Sequence, residues 1–136
     1  MDNFKQRVEQ AVRDELMDAA RYTRMALRAP NPELRAILQS IAADENGHAR
    51  TFAAIANLDP VGLGAAEREE ERESFPEGLR RAIQGELEAV AEYAQLAQMA
   101  PNPELRNLII SIVADELGHA RILAAVMALR PHQGLG

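Results

Sequence analysis

The chain has 136 residues with Ala, Leu, Glu and Arg prominent, only three Phe, two Tyr and no Trp. That length fits one domain with one core, and the composition favours helices over strands. It contains no cysteine, which excludes disulfides, thiolate metal sites and thiol nucleophiles. A formal net charge of -6 without any basic run argues against a dedicated nucleic-acid binder.

In chain order, the pattern predicts a first helix near 3–28 and a second near 32–57. Between them Pro30-Asn31-Pro32 ends one helix and opens the next: the first proline cannot continue a helix, Asn is a good cap, and the second proline suits the opening position. Residues 59–75 carry Asp-Pro, two glycines and a charge run with no apolar stripe, and are expected to form a solvated connection. A third helix follows near 76–99, Pro101-Asn102-Pro103 repeats the turn, and a fourth helix is expected near 103–129. Residues 130–136 are expected to be a frayed tail, which leaves His132 outside any site. The opening residues lack the apolar core of a secretory signal, and no stretch reaches the roughly 18 apolar residues a membrane span requires. A cytoplasmic protein without membrane contact is the expectation.

The chain is one helical hairpin written twice. Residues 12–58 lie over 83–129 at a constant offset of 71, with 24 identities among 47 pairs. Repeat one covers 3–58 and repeat two 76–129. Two copies suit a pseudo-twofold, all-α antiparallel four-helix bundle, whereas a solenoid would need more. A helix of about 25 residues spans roughly 38 Å. The connection is long enough to cross that distance end to end, or to let the second hairpin pair with a neighbouring chain in a swapped dimer.

Steps of four and three give each helix an inward stripe, and acids interrupt it in all four. The stripe reads Val8, Val12, Glu15, Ala19, Tyr22 in the first helix and Leu34, Leu38, Ile41, Glu45, His48, Phe52, Ile55 in the second. It reads Leu79, Ile83, Glu86, Val90, Tyr93 in the third and Leu105, Ile109, Ile112, Glu116, His119, Leu123, Val126 in the fourth. Glu15 and Glu45 each lie 15 positions from Pro30, and Glu86 and Glu116 each 15 from Pro101, so each pair shares one height. His48 and His119 follow their Glu by three, on the same helical face. Four buried carboxylates would each lose hydration worth several kcal/mol and repel one another. Two divalent cations balance the four negative charges, and carboxylate with imidazole suits iron or manganese better than soft metals.

A Glu from two helices plus Glu-x-x-His from the other two is the ligand scheme of ferritin-like di-iron and di-manganese proteins. On these motifs, across about 5–129, the sequence resembles the rubrerythrin and bacterioferritin branch of the ferritin-like superfamily. The resemblance implies a ferritin-like bundle with a long crossover between the hairpins. It also implies two irons held by Glu15, Glu45, His48, Glu86, Glu116 and His119, with manganese or a mixed pair as alternatives. It further implies reaction with O2 or H2O2, as a ferroxidase or peroxidase-type oxidoreductase; iron holding or storage, or a di-manganese catalase-like activity, are the alternatives. The chain departs from familiar rubrerythrins in having Ala89 where they carry an additional glutamate, and in lacking the cysteines of a rubredoxin module, so electrons must come from another protein. Asn46 stands where bacterioferritins place a haem-binding methionine, so no haem is expected.

Four further residues are expected to support the ligands. Asp44 and Asp115 are placed to receive the second imidazole N–H of His119 and His48, and Tyr22 and Tyr93 to hydrogen-bond ligand carboxylates or fill the core. Gly47 and Gly118, inside helices at a cost of about 1 kcal/mol each relative to Ala, are expected to serve a simple packing contact, with a neighbouring backbone or a substrate path as the alternatives. The partners expected are Fe(II), the oxidant, an external electron donor and a second copy of the chain.

Overall fold

The computed structural model describes residues 2–63 and 73–133. All of the connection's charge run but Glu73, and the last three residues of the expected tail, lie outside them, as does the His132 side chain. Four helices account for most of what is described: α1, Asp2–Leu27; α2, Pro32–Ala56; α3, Phe75–Met99; α4, Pro103–Gln133. Helices α1 and α2 pack as one antiparallel hairpin and α3 and α4 as another, an order of elements consistent with a ferritin-like four-helix bundle. Among the described residues, no helix is long and apolar enough to cross a membrane.

The turns form for the reasons the repeated Pro-Asn-Pro suggests. Asn31 sits in an extended conformation before α2, and its side-chain oxygen accepts from the Leu34 amide at 2.9 Å, with Pro32 in the first helical turn. Asn102 accepts from the Leu105 amide at the same 2.9 Å. Each cap satisfies one of the orphan amides at a helix start, a contribution of about 1 kcal/mol. Helix α3 opens with a reciprocal capping box. Ser74 Oγ accepts from the Glu77 amide at 3.1 Å while Glu77 accepts from the Ser74 amide at 2.9 Å. Just before it, Glu73 pairs with Arg81 at 2.6 Å and anchors the connection to the third helix.

The two hairpins end differently. Asn57 closes α2 in the left-handed region, φ 59°, ψ 50°, and the Leu58 amide returns to the Ala53 carbonyl at 2.8 Å. The counterpart of Asn57 is Ala128, which has no tolerance for that conformation, and α4 continues past the expected end at 129 to Gln133. Beyond α2, a short 3-10 turn at Pro60–Leu63 packs back onto α1 and α2.

Within the first hairpin Val8, Val12, Met25, Leu38, Ile41 and Phe52 are buried; within the second Leu79, Leu96, Ile109, Ile112 and Leu123 are. Each such aliphatic or aromatic side chain contributes roughly 1.5–3 kcal/mol by leaving water. Five residues of the expected stripe, Leu34, Ile55, Ile83, Val90 and Leu105, are only half-buried. Leu34, Ile55 and Leu105 lie in or near terminal turns, where fewer neighbours reach them. Ile83 and Val90 lie mid-helix in α3, on the side of the stripe away from its buried centre at Leu79, Glu86 and Tyr93.

Candidate metal centre

Each hairpin brings two carboxylates and one imidazole together at mid-height. In the first, Glu15 of α1 and Glu45 of α2 are 0% and 1% exposed, because their equal distance from the turn puts them opposite one another. His48, one helical turn after Glu45, places Nδ1 3.1 Å from Glu45 Oε1 and 3.5 Å from Glu15 Oε1. One ligand atom from each of the three lies within 4.8 Å of the others.

The second hairpin repeats the arrangement. His119 Nδ1 lies 3.2 Å from Glu116 Oε1 and 3.6 Å from Glu86 Oε2, all three side chains are buried, and their ligand atoms again fall within 4.8 Å. The matching distances follow from matching sequence: helix-borne side chains lean toward the N-terminus, so an imidazole three residues after a glutamate reaches back with its nearer nitrogen. The identity of that nitrogen is not readable from spacing alone. With Nδ1 turned to the carboxylates, Nε2 is left for another acceptor.

The electrostatics of one hairpin is already demanding. Two ionised carboxylates at 0–3% exposure carry two negative charges out of water, and a protonated imidazole would cancel only one. A divalent cation cancels both and leaves the imidazole neutral, the form that binds metal. The donors are four carboxylates and two imidazoles with no sulfur, a set that fits iron or manganese. These residues fit the group that the sequence motifs imply.

Tyr22 and Tyr93 are buried, at 4% and 3% exposure, two turns along the same face from Glu15 and Glu86. Asp44 and Asp115 lie exposed, each one residue before a buried glutamate. Arg50 and Arg121 are exposed on the same helices. At the two glycines no neighbouring backbone lies within 4 Å of where a Cβ would sit. A Cβ at Gly47 would meet nothing nearer than an Arg50 guanidinium nitrogen at 3.8 Å, and one at Gly118 would meet nothing within 4 Å.

One asymmetry escaped the motif reading. Asp18 follows Glu15 by three residues, on the same face of α1, and pairs with Arg21 at 3.3 Å. Its counterpart is Ala89, so the first hairpin has an acid three residues after its α1 glutamate and the second has none after Glu86. Aligning the two repeats exposes this difference; the stripe alone does not.

Residues 7–127 match the family model described as Rubrerythrin. No curated protein sequence matches the chain.

Proposed function

Since the chain belongs to the rubrerythrin family, whose domain is ferritin-like and of the di-iron carboxylate type, we propose that it holds two irons, one per hairpin triad, and oxidises Fe(II) with O2 or H2O2. The ligands in this reading are Glu15, Glu45 and His48 from the first hairpin and Glu86, Glu116 and His119 from the second. The observation that carries it is the burial of the same Glu, Glu, His set twice, at 0–7% exposure, with each imidazole within 3.6 Å of two carboxylates. Iron, when bound, supplies the reducing electrons and the Lewis acidity.

The protein's own contribution is arrangement. Both imidazoles present Nδ1 to the carboxylates, so neither ring must turn to bind. The carboxylates are already desolvated, so little water has to be displaced when the cation enters, and unwanted hydrolysis or proton leakage is restrained. Binding the cation displaces protons from imidazole and carboxyl groups, so uptake weakens on acidification. Asp44 and Asp115 take the Nε2 proton of an imidazole in this reading, and Tyr22 and Tyr93 hydrogen-bond ligand carboxylates. Electrons that return the irons to Fe(II) come from a separate donor protein in this reading. The working form is a single domain in each chain of a cytoplasmic homodimer.

Ala89 favours a second reading, iron holding or delivery without turnover, because an acid three residues after Glu86 is missing. Anaerobic loading with Fe(II), followed by O2 or H2O2, separates the two. Oxidation predicts about two irons per chain, appearance of ferric absorption and matching loss of the oxidant. Iron bound without oxidant loss leaves only the holding reading; manganese in protein purified without added metal points to the catalase-like alternative; no metal bound at all ends both.

A further inference from the structure

The two repeats act as each other's control, and one of their differences falls inside a ligand motif. Repeat one reads Asp44-Glu45-Asn46-Gly47-His48 where repeat two reads Asp115-Glu116-Leu117-Gly118-His119. Among the asparagines of the chain only Asn46 is followed by glycine; Asn31 and Asn102 precede proline, Asn57 and Asn107 precede leucine, and Asn3 precedes phenylalanine. An asparagine before glycine is the backbone step most open to attack on itself. Glycine has no side chain to crowd its own amide, and it turns freely through the conformations that ring closure needs. Packing does not demand this glycine, since a Cβ at position 47 would meet nothing nearer than an Arg50 nitrogen at 3.8 Å. Asn and Gly are also two poor helix formers set side by side in the middle of α2.

We propose that Asn46-Gly47 is a site of spontaneous deamidation, blocked while the first hairpin holds its metal and open when it does not. The deprotonated Gly47 amide nitrogen attacks Asn46 Cγ, the new N–C bond replaces the Cγ–Nδ2 bond, and ammonia leaves. Water then opens the five-membered imide at either carbonyl, giving aspartate or isoaspartate without any change of oxidation state. Helical backbone opposes the first step, because it commits the Gly47 N–H to the Ala43 carbonyl and holds Asn46 ψ away from ring closure. Reaction therefore proceeds from molecules in which α2 has opened locally. Glu45 and His48 flank the pair on both sides, so a cation held by them must leave before the helix opens there. Without the cation, burying Glu15 and Glu45 together is costly, which favours opening. Isoaspartate carries the main chain through one additional carbon and so takes His48 off the face it shares with Glu45. Leu117 has no carbonyl to be attacked, so the second hairpin keeps its triad. Copies that have stood without metal are marked in this way and lose capacity in one hairpin only. The mark itself needs only the sequence and the helix, whereas its control by metal rests on the ligand set proposed above.

The test compares protein stripped by a chelator with protein loaded with Mn(II), used in place of iron so that no oxidant chemistry intrudes. Both are held at mildly alkaline pH, bound metal is measured, and residues 36–50 and 107–121, released by cleavage after arginine, are analysed by mass spectrometry. Deamidation should be confined to 36–50, and Mn(II) at about 100 times its dissociation constant should slow it roughly 100-fold. No reaction in the stripped protein, over a time in which the isolated peptide 36–50 converts, overturns the site. Equal rates in the stripped protein and in protein shown to hold Mn(II) overturn the control by metal. Failure to bind any Mn(II) overturns the ligand reading and that control with it, while the stripped sample still decides the modification. Aged stripped protein should then take up only the second hairpin's share of Mn(II), and Asn46→Leu should resist modification and keep full uptake. Asn46→Asp, which has the charge with an ordinary backbone, should bind as the parent does. Uptake undiminished in fully modified protein, or lost equally in Asn46→Asp, overturns the broken spacing as the cause.

Discussion

The two hairpins share a site and a turn and diverge over much of their outer faces. Both carry Glu, Glu and His at the same heights, and the imidazole to carboxylate distances agree to within 0.1 Å between them. Outside the site, the first hairpin is the more heavily charged, with Asp14, Asp18, Arg21, Arg24 and Arg28 where the second has Gly85, Ala89, Glu92, Gln95 and Met99. Among the described residues, five of the seven large exposed hydrophobic ones, Leu87, Leu108, Ile110, Ile122 and Leu129, belong to α3 and α4. The lesson is that ligand geometry constrains a few inward positions closely, while outward positions drift toward whatever each face must contact.

The strongest way to break the equivalence of the two sites is to remove one ligand at a time. Glu45→Ala and Glu116→Ala should each weaken iron uptake by on the order of 100-fold or more, above the effect of losing a supporting residue, as read by equilibrium metal titration. If one variant binds as the parent does, that hairpin contributes no ligand. A comparably large effect is expected from chelation. Metal at about 1,000 times its dissociation constant adds roughly 4 kcal/mol to the folded state. Stripping it should therefore lower Tm by on the order of 10 °C in calorimetry. An unchanged Tm would mean that the buried carboxylates are neutralised by protons instead.

The unequal helix ends offer a subtler comparison. Asn57→Ala should cost about 1 kcal/mol, because a residue with a Cβ and no local hydrogen bond is disfavoured in the left-handed region. Ala128→Gly, within helical backbone, should cost about as much through lost helix propensity; urea unfolding midpoints measure both. The smallest effects belong to the glycines. Gly47→Ala and Gly118→Ala should each stabilise by about 0.5–1 kcal/mol, since the added methyl group meets no close neighbour. Destabilisation at either would reveal a contact made only in the assembled or metal-bound protein.

Local chemistry determined much of this protein without reference to its fold. Proline geometry and asparagine caps set both hairpin turns, and because residue number along a helix is a ruler, Glu15 with Glu45 and Glu86 with Glu116 had to meet at one height. The internal repeat then doubled every such inference. Tertiary structure decided what depends on neighbours far along the chain. It determined that Nδ1 is the nitrogen turned to the carboxylates, that Ile83 and Val90 are only half-covered, and that Gly118 borders open space while Gly47 lies beside the Arg50 side chain. That α4 runs on past the position matching the end of α2 was also settled there. Periodicity says which face a residue is on, but how much of that face is covered depends on packing partners that spacing along one helix does not specify.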